Sequence, residues 1–138
     1  GDISPKNILV GPGGPVILDA ECAWYGDPSF DLAFCLNHLM LKCVERRAST
    51  PDYLAAFDAL AAAYLAAVDW EPAAGLEARA ARLLPALFLA RVDGKSPVEY
   101  ITSDGDKALV RGFAPDFIAT PRKTLAEIRQ GWARELAQ

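Results

Sequence analysis

Asn7-Ile8-Leu9-Val10-Gly11-Pro12-Gly13-Gly14-Pro15-Val16-Ile17-Leu18-Asp19 is the stretch on which the fold turns. Two aliphatic runs, Ile8–Val10 and Val16–Leu18, flank a segment dense in turn formers, the pattern of a β-hairpin. A hairpin returns the chain to its starting point. It therefore holds the flanking residues, Asn7 and Asp19, at one end of the ladder.

Working outward, the chain turns helical after Tyr25-Gly26-Asp27-Pro28. Phe30 to Val44 is apolar nearly all round, as suits a helix buried among others. Thr50-Pro51-Asp52 reads as a helix start, with Thr50 as N-cap and Pro51 at the first position. Tyr53, Phe57, Leu60, Tyr64 and Val68 then recur on one helical face, until Pro72 and Gly75 break the pattern. A third helix is expected from about Leu76 to Val92, with Leu83, Leu84, Leu87 and Phe88 inward and a kink at Pro85. A shorter helix is expected over 104–118. Thr120-Pro121 reads as the start of a last one that buries Leu125, Ile128, Trp132 and Leu136. The expected class is mainly α (α+β), a β-hairpin followed by a helical bundle.

The bulk composition fits one globular domain: 138 residues, 52% hydrophobic and 23% charged. The net charge of −4 comes with no basic stripe, which argues against a nucleic-acid partner. The richest apolar run, Phe30–Leu41, is interrupted by Asp31, Asn37 and His38 and is too short to span a membrane. Cys22, Cys35 and Cys43 are odd in number and form no CxxC pair. They read as reduced thiols of a cytoplasmic protein, not as a zinc site.

Ahead of the hairpin, Asp2 and Asn7 stand as D-x-x-x-x-N. In phosphoryl transfer an Asp at this spacing orients the attacking hydroxyl, and the Asn amide oxygen binds magnesium beside the leaving phosphate. The same two residues could equally serve a turn. Asp19, at a strand end with Glu21 two residues on, adds the hard oxygen ligands that magnesium requires. Loop carboxylate, strand, turn, strand and second carboxylate follow in the order protein kinases use. Gly94-Lys95-Ser96 is no P-loop, since Leu89 stands where that motif needs Gly.

With these residues in place, Gly1-Asp2-Ile3-Ser4-Pro5-Lys6-Asn7 resembles the H-G-D-x-x-x-x-N loop of the aminoglycoside phosphotransferase and choline kinase superfamily, which shares the protein-kinase fold. Val16–Glu21 resembles that family's counterpart of D-F-G. Gly26-Asp27-Pro28-Ser29-Phe30-Asp31-Leu32-Ala33 is similar to its G-D-P-x-x-D-L-A segment. The trailing aromatics behind Asp19-Ala20-Glu21 are similar to those of methylthioribose kinases, and Leu89–Gly94 loosely resembles their late helix.

The resemblance implies a kinase that moves the γ-phosphate of ATP to a hydroxyl of a small molecule: an aminoglycoside, a sugar such as methylthioribose, choline or similar. It implies Asp2 as catalytic base, Asn7 and Asp19 as ligands of Mg2+ and hence of Mg-ATP, and Glu21 as an additional ligand. Arg91 is a candidate substrate contact. Asp31 is expected to steady the catalytic loop, Asp27 to cap the helix, and His38 to be a satisfied core histidine. The expected organisation is a C-terminal lobe of a longer protein, with catalytic loop and metal-binding hairpin in residues 1–27 and a helical region in 28–138. The N-terminal lobe, with its glycine-rich lid, strand lysine and adenine hinge, is expected to lie outside this sequence. The competing expectation is a non-catalytic, pseudokinase-like binding module or an inactive remnant.

Overall fold

The computed structural model describes all 138 residues. A single 3-10 turn, Pro5–Asn7, leads into strand β1 (Ile8–Gly11), which pairs antiparallel with β2 (Gly14–Ile17). Ile8 faces Ile17 and Gly11 faces Gly14, so the turn itself is only Pro12-Gly13. Gly14 takes φ 103°, a conformation open to glycine and costly for side chains with a Cβ. One further bond, Leu18 N–H to the Asn7 carbonyl at 2.8 Å, carries the ladder to its end. Asn7 and Asp19 thus flank the last rung, as the hairpin argument requires.

Five helices follow: α1 (Ser29–Glu45), α2 (Thr50–Ala67), α3 (Ala73–Asp93), α4 (Asp104–Ala119) and α5 (Leu125–Glu135). The chain is mostly helical, a two-stranded hairpin followed by a helical bundle, consistent with the C-terminal lobe of a kinase-like fold. α1 is the central helix. It packs on α2 and α3, and α3 in turn packs on α4 and α5. That placement explains its composition: Leu32, Leu36, Met40 and Leu41 are sealed from solvent together with Cys43 and Val44. At the far end of the bundle Trp132 meets Phe88 and Phe113 edge-on, with ring centroids 4.9 and 5.0 Å away. Its indole N–H donates to the Met40 carbonyl at 3.2 Å, so the one polar atom of the ring is satisfied in the core. No helix is long and apolar enough to cross a membrane.

Three boundaries differ from the sequence expectation. Thr50 is already inside α2, with Ser49 at the cap, and its hydroxyl donates to the Cys43 carbonyl of α1 at 3.3 Å. Gly75 lies in the first turns of α3 and breaks nothing; Pro72 occupies the position before that helix. The largest shift concerns α5. Thr120 caps the end of α4, and the last helix starts at Leu125 behind the N-cap Thr124, where a reciprocal capping box with Glu127 satisfies two backbone donors at once. The buried stripe of α2 is also rotated: Leu54, Phe57 and Ala61 are fully buried, while Tyr53, Leu60 and Tyr64 flank them. α3 runs through Pro85 as one helix, with Leu84 and Phe88 completely inside and Leu83 and Leu87 at the margin.

Candidate active site

The loop that carries Asp2 is fixed from several sides. The backbone nitrogen of Gly1 lies 2.6 Å from Asp31 Oδ1, so the carboxylate in the first turn of α1 stands beside the start of the loop. Asp27 Oδ1 accepts from the Ser29 N–H at 2.9 Å and caps α1 from just outside it. Arg79 of α3 grips the same carboxylate through Nε at 2.8 Å and Nη2 at 3.2 Å, and Glu71 is its second partner. The hydrogen bonds from Arg79 pull the Asp27 carboxyl down to about 2. Asp27 therefore does the capping work expected of it.

Asn7 is the hinge of the site. Only 7% exposed, it turns its amide nitrogen inward, where Nδ2 donates to the Asp2 carbonyl at 3.0 Å and, at 3.4 Å, to Asp2 Oδ2. That orientation has a consequence for the other end of the amide. Oδ1 accepts none of the chain's own hydrogen bonds and is left for another partner. A neutral carbonyl-type oxygen of this kind suits a hard cation.

Asp19 follows the last rung with φ 61° and ψ 43°, and it is the single non-glycine residue at positive φ. Asp tolerates this region better than most residues, yet the conformation still costs energy and clusters at functional sites. It re-aims the chain into a 3-10 turn, Ala20–Cys22. The Asp19 side chain is exposed and makes no capping hydrogen bond. Asn7 and Asp19, at the end of the ladder, carry one neutral and one anionic oxygen, donor types that Mg2+ takes beside phosphate oxygens and water. Glu21 lies exposed within the 3-10 turn, and no three acidic, histidine or cysteine side chains converge into a metal-binding group.

Asp2 lines an open cavity of about 410 Å3 together with Lys6, Trp24, Phe30, Phe34 and Arg91. Arg91 reaches it from the last turn of α3, its guanidinium 5.6 Å from the Phe34 ring centre. The structure thus brings Arg91 to the cavity of Asp2, whereas Lys95 lies on the exposed loop beyond α3.

His38 departs from the expected satisfied core residue. It is buried, and Nδ1 meets the Tyr100 hydroxyl at 3.3 Å, but Nε2 has no partner. Burial, helped by the nearby Arg91 charge, lowers its pKa to about 4, so the ring is neutral at physiological pH. Phe30, Phe34, His38 and Lys42 recur every four residues, one stripe of α1 turned toward this side of the molecule. The spacing was legible. The partner Tyr100, 62 positions away, was not.

No curated protein and no solved structure matches the chain. A family model does, over residues 1–76, a span that contains the loop, the hairpin, the Gly26–Ala33 segment and all of α1 and α2. By that match, the chain belongs to the phosphotransferase enzyme family.

Proposed function

We propose that this chain is the C-terminal, catalytic lobe of an ATP-dependent small-molecule kinase, with Asp2 as the base and Asn7 and Asp19 as the magnesium ligands. The carrying observation is the Asn7 amide: its nitrogen is spent on the Asp2 carbonyl, which leaves the oxygen for a cation and fixes the backbone that carries the carboxylate. In the proposed reaction Asp2 accepts the proton of the acceptor hydroxyl while that oxygen bonds to the γ-phosphorus. The bond from the γ-phosphorus to the β,γ-bridging oxygen breaks, and ADP leaves. Bound Mg2+ supplies neutralisation of the charge on the β- and γ-phosphates. Asp31 keeps the loop in register, and the exposed Glu21 is proposed as an additional oxygen ligand from the turn after Asp19. Positioning and electrostatics supply most of such catalysis, so a loop fixed at both ends is the relevant asset.

The acceptor is a hydroxyl-bearing small molecule. The Asp19-Ala20-Glu21 run with Trp24 and Tyr25 behind it supports a place near the methylthioribose kinases, and that sugar joins aminoglycosides and choline in the starting panel of acceptors. The test is transfer of labelled γ-phosphate by the full-length protein and by its Asp2→Asn variant. Removing the base should lower turnover by roughly 100- to 10,000-fold and leave Mg-ATP binding intact. Undiminished turnover in the variant rejects the assignment.

A further inference from the structure

A second cavity, of about 350 Å3, adjoins that of Asp2 and shares Lys6, Arg91 and Ser96 with it. Its lining is unusual in two respects. The first is charge: Lys6, Lys42 and Arg91 face it against the single carboxylate of Glu99. Lys42 pairs with Glu45 and sits 3.8 Å from the Tyr100 ring centre, but Lys6 and Arg91 enter no ion pair.

The second is a set of unpartnered polar atoms. Ser4 is 1% exposed and His38 7%, and Ser4 Oγ, His38 Nε2 and Arg91 Nε are all sealed from solvent without a partner. Burial keeps the Tyr100 hydroxyl protonated, with its pKa pushed up to about 12. Its hydrogen bond with His38 Nδ1 can run either way with the imidazole tautomer, and Nε2 carries the hydrogen in the tautomer whose Nδ1 accepts from Tyr100. Ser4, His38 and Arg91 all line this cavity, and each carries an unpaired atom whose cost an anionic oxygen brought among them would relieve. Cationic side chains around them specify its sign.

We propose that this cavity takes the carboxylate or phosphate group of the acceptor, so that the enzyme phosphorylates an anionic hydroxyl compound and not a polycationic one. The proposal deepens the phosphotransferase reading and rests on it for the word acceptor. The anion site itself stands on the residues just named. Lys6 and Arg91, common to both cavities, form the bridge: an anionic tail held beyond them leaves the hydroxyl end of the same molecule in the cavity of Asp2.

The sequence contains one histidine, so the imidazole signals of His38 in a proton–nitrogen NMR spectrum are unambiguous. The 138-residue chain is titrated at fixed ionic strength with glycerate, with inorganic phosphate and with neutral glycerol. Glycerate and phosphate should shift the His38 signals saturably, with midpoints of about 1–5 mM, and glycerol should not. Arg91→Gln and Lys6→Gln should each raise the midpoint by about tenfold. Lys6 is exposed and outside the core, so its variant carries the test should Arg91→Gln fail to fold.

Absence of a saturable shift, an equal response to glycerol, or midpoints unchanged in the folded variants overturns the proposal. Displacement of glycerate by Mg-ATP also overturns it, because the cavity would then belong to the nucleotide phosphates. The readout needs neither nucleotide nor turnover, so the two readings fail separately. Glycerate binding in a protein that transfers no phosphate keeps the site and rejects the kinase. Transfer without anion binding does the reverse.

Discussion

Asn7→Ala probes the centre of the site without requiring activity. The substitution removes the 3.0 Å bond from Nδ2 to the Asp2 carbonyl, worth about 1 kcal/mol net as a neutral hydrogen bond in a buried position. The second bond, 3.4 Å from Asp2 Oδ2, is beyond the usual range for an N–H donor and adds little. With the small gap left by a buried amide, the cost comes to about 1–2 kcal/mol, borne locally by the loop and hairpin end. Native-state hydrogen exchange reads this directly. The Asn7 amide, bonded to the Ser4 carbonyl at 2.9 Å, and the Leu18 amide, bonded to the Asn7 carbonyl, report opening of this region. Their protection should fall by about 5- to 30-fold, while amides in the middle of α3 stay unchanged.

Asn7→Asp sharpens the test. A carboxylate oxygen in place of Nδ2 would face Asp2 Oδ2 at the same 3.4 Å, a repulsion of about 5 kcal/mol at a surface-like effective dielectric constant. The loop should open sooner than bear it, so protection at Leu18 should fall further than in Asn7→Ala at pH 8. Equal protection in wild type and both variants would refute the placement of the amide, and with it the argument that frees Oδ1.

Other consequences can be checked on the same chain. Asp27 is held near 2 by Arg79, a depressed carboxyl, so its contribution to stability is present above about pH 4 and is lost as the pH falls toward 2. The pair is partly exposed and its effect small, under about 1 kcal/mol. Thermal melts of wild type and Arg79→Gln should differ at pH 6 and converge near pH 2. Burial pushes the Cys35 and Cys43 thiols up to about 11, whereas Cys22 is exposed. Iodoacetamide at pH 8 should therefore label Cys22 alone in the native protein, and mass spectrometry after unfolding should find all three. Trp132→Ala empties the contact with Phe88 and Phe113 and should cost about 3–5 kcal/mol, read by chemical denaturation. Trp132→Phe, which loses chiefly the bond to Met40, should cost clearly less.

Features with a local cause could be read from sequence, and features set by distant partners could not. The hairpin was legible because turn chemistry and aliphatic runs are local, and α1 because a helix apolar on all sides has one place to go. At the start of α5 Thr120-Pro121 was the expected signal, and the cap forms instead at Thr124, where the reciprocal box with Glu127 satisfies two backbone donors. The turn of Asp19 to positive φ leaves no mark in a pattern of hydrophobicity. Nor does the basic cavity: Lys6, Lys42 and Arg91 sit far apart in the chain and meet only because α1 packs on α3 beside the loop.

The aliphatic residues of the hairpin did not foretell burial. Val10 is 84% exposed, and Leu9, Val16 and Ile17 are more than half exposed, so the ladder has almost no core of its own. An isolated two-stranded hairpin is marginally stable at best. Yet its last rung sets the distance between the two proposed magnesium ligands. Cation affinity and strand pairing are then one thermodynamic cycle: a ligand that bridges Asn7 and Asp19 tightens the hairpin by as much as hairpin order strengthens the ligand. A partner that settles on those exposed strands and prefers them paired would raise cation affinity at the proposed ligands without touching them. Changes in the Pro12-Gly13 turn should propagate to the same place.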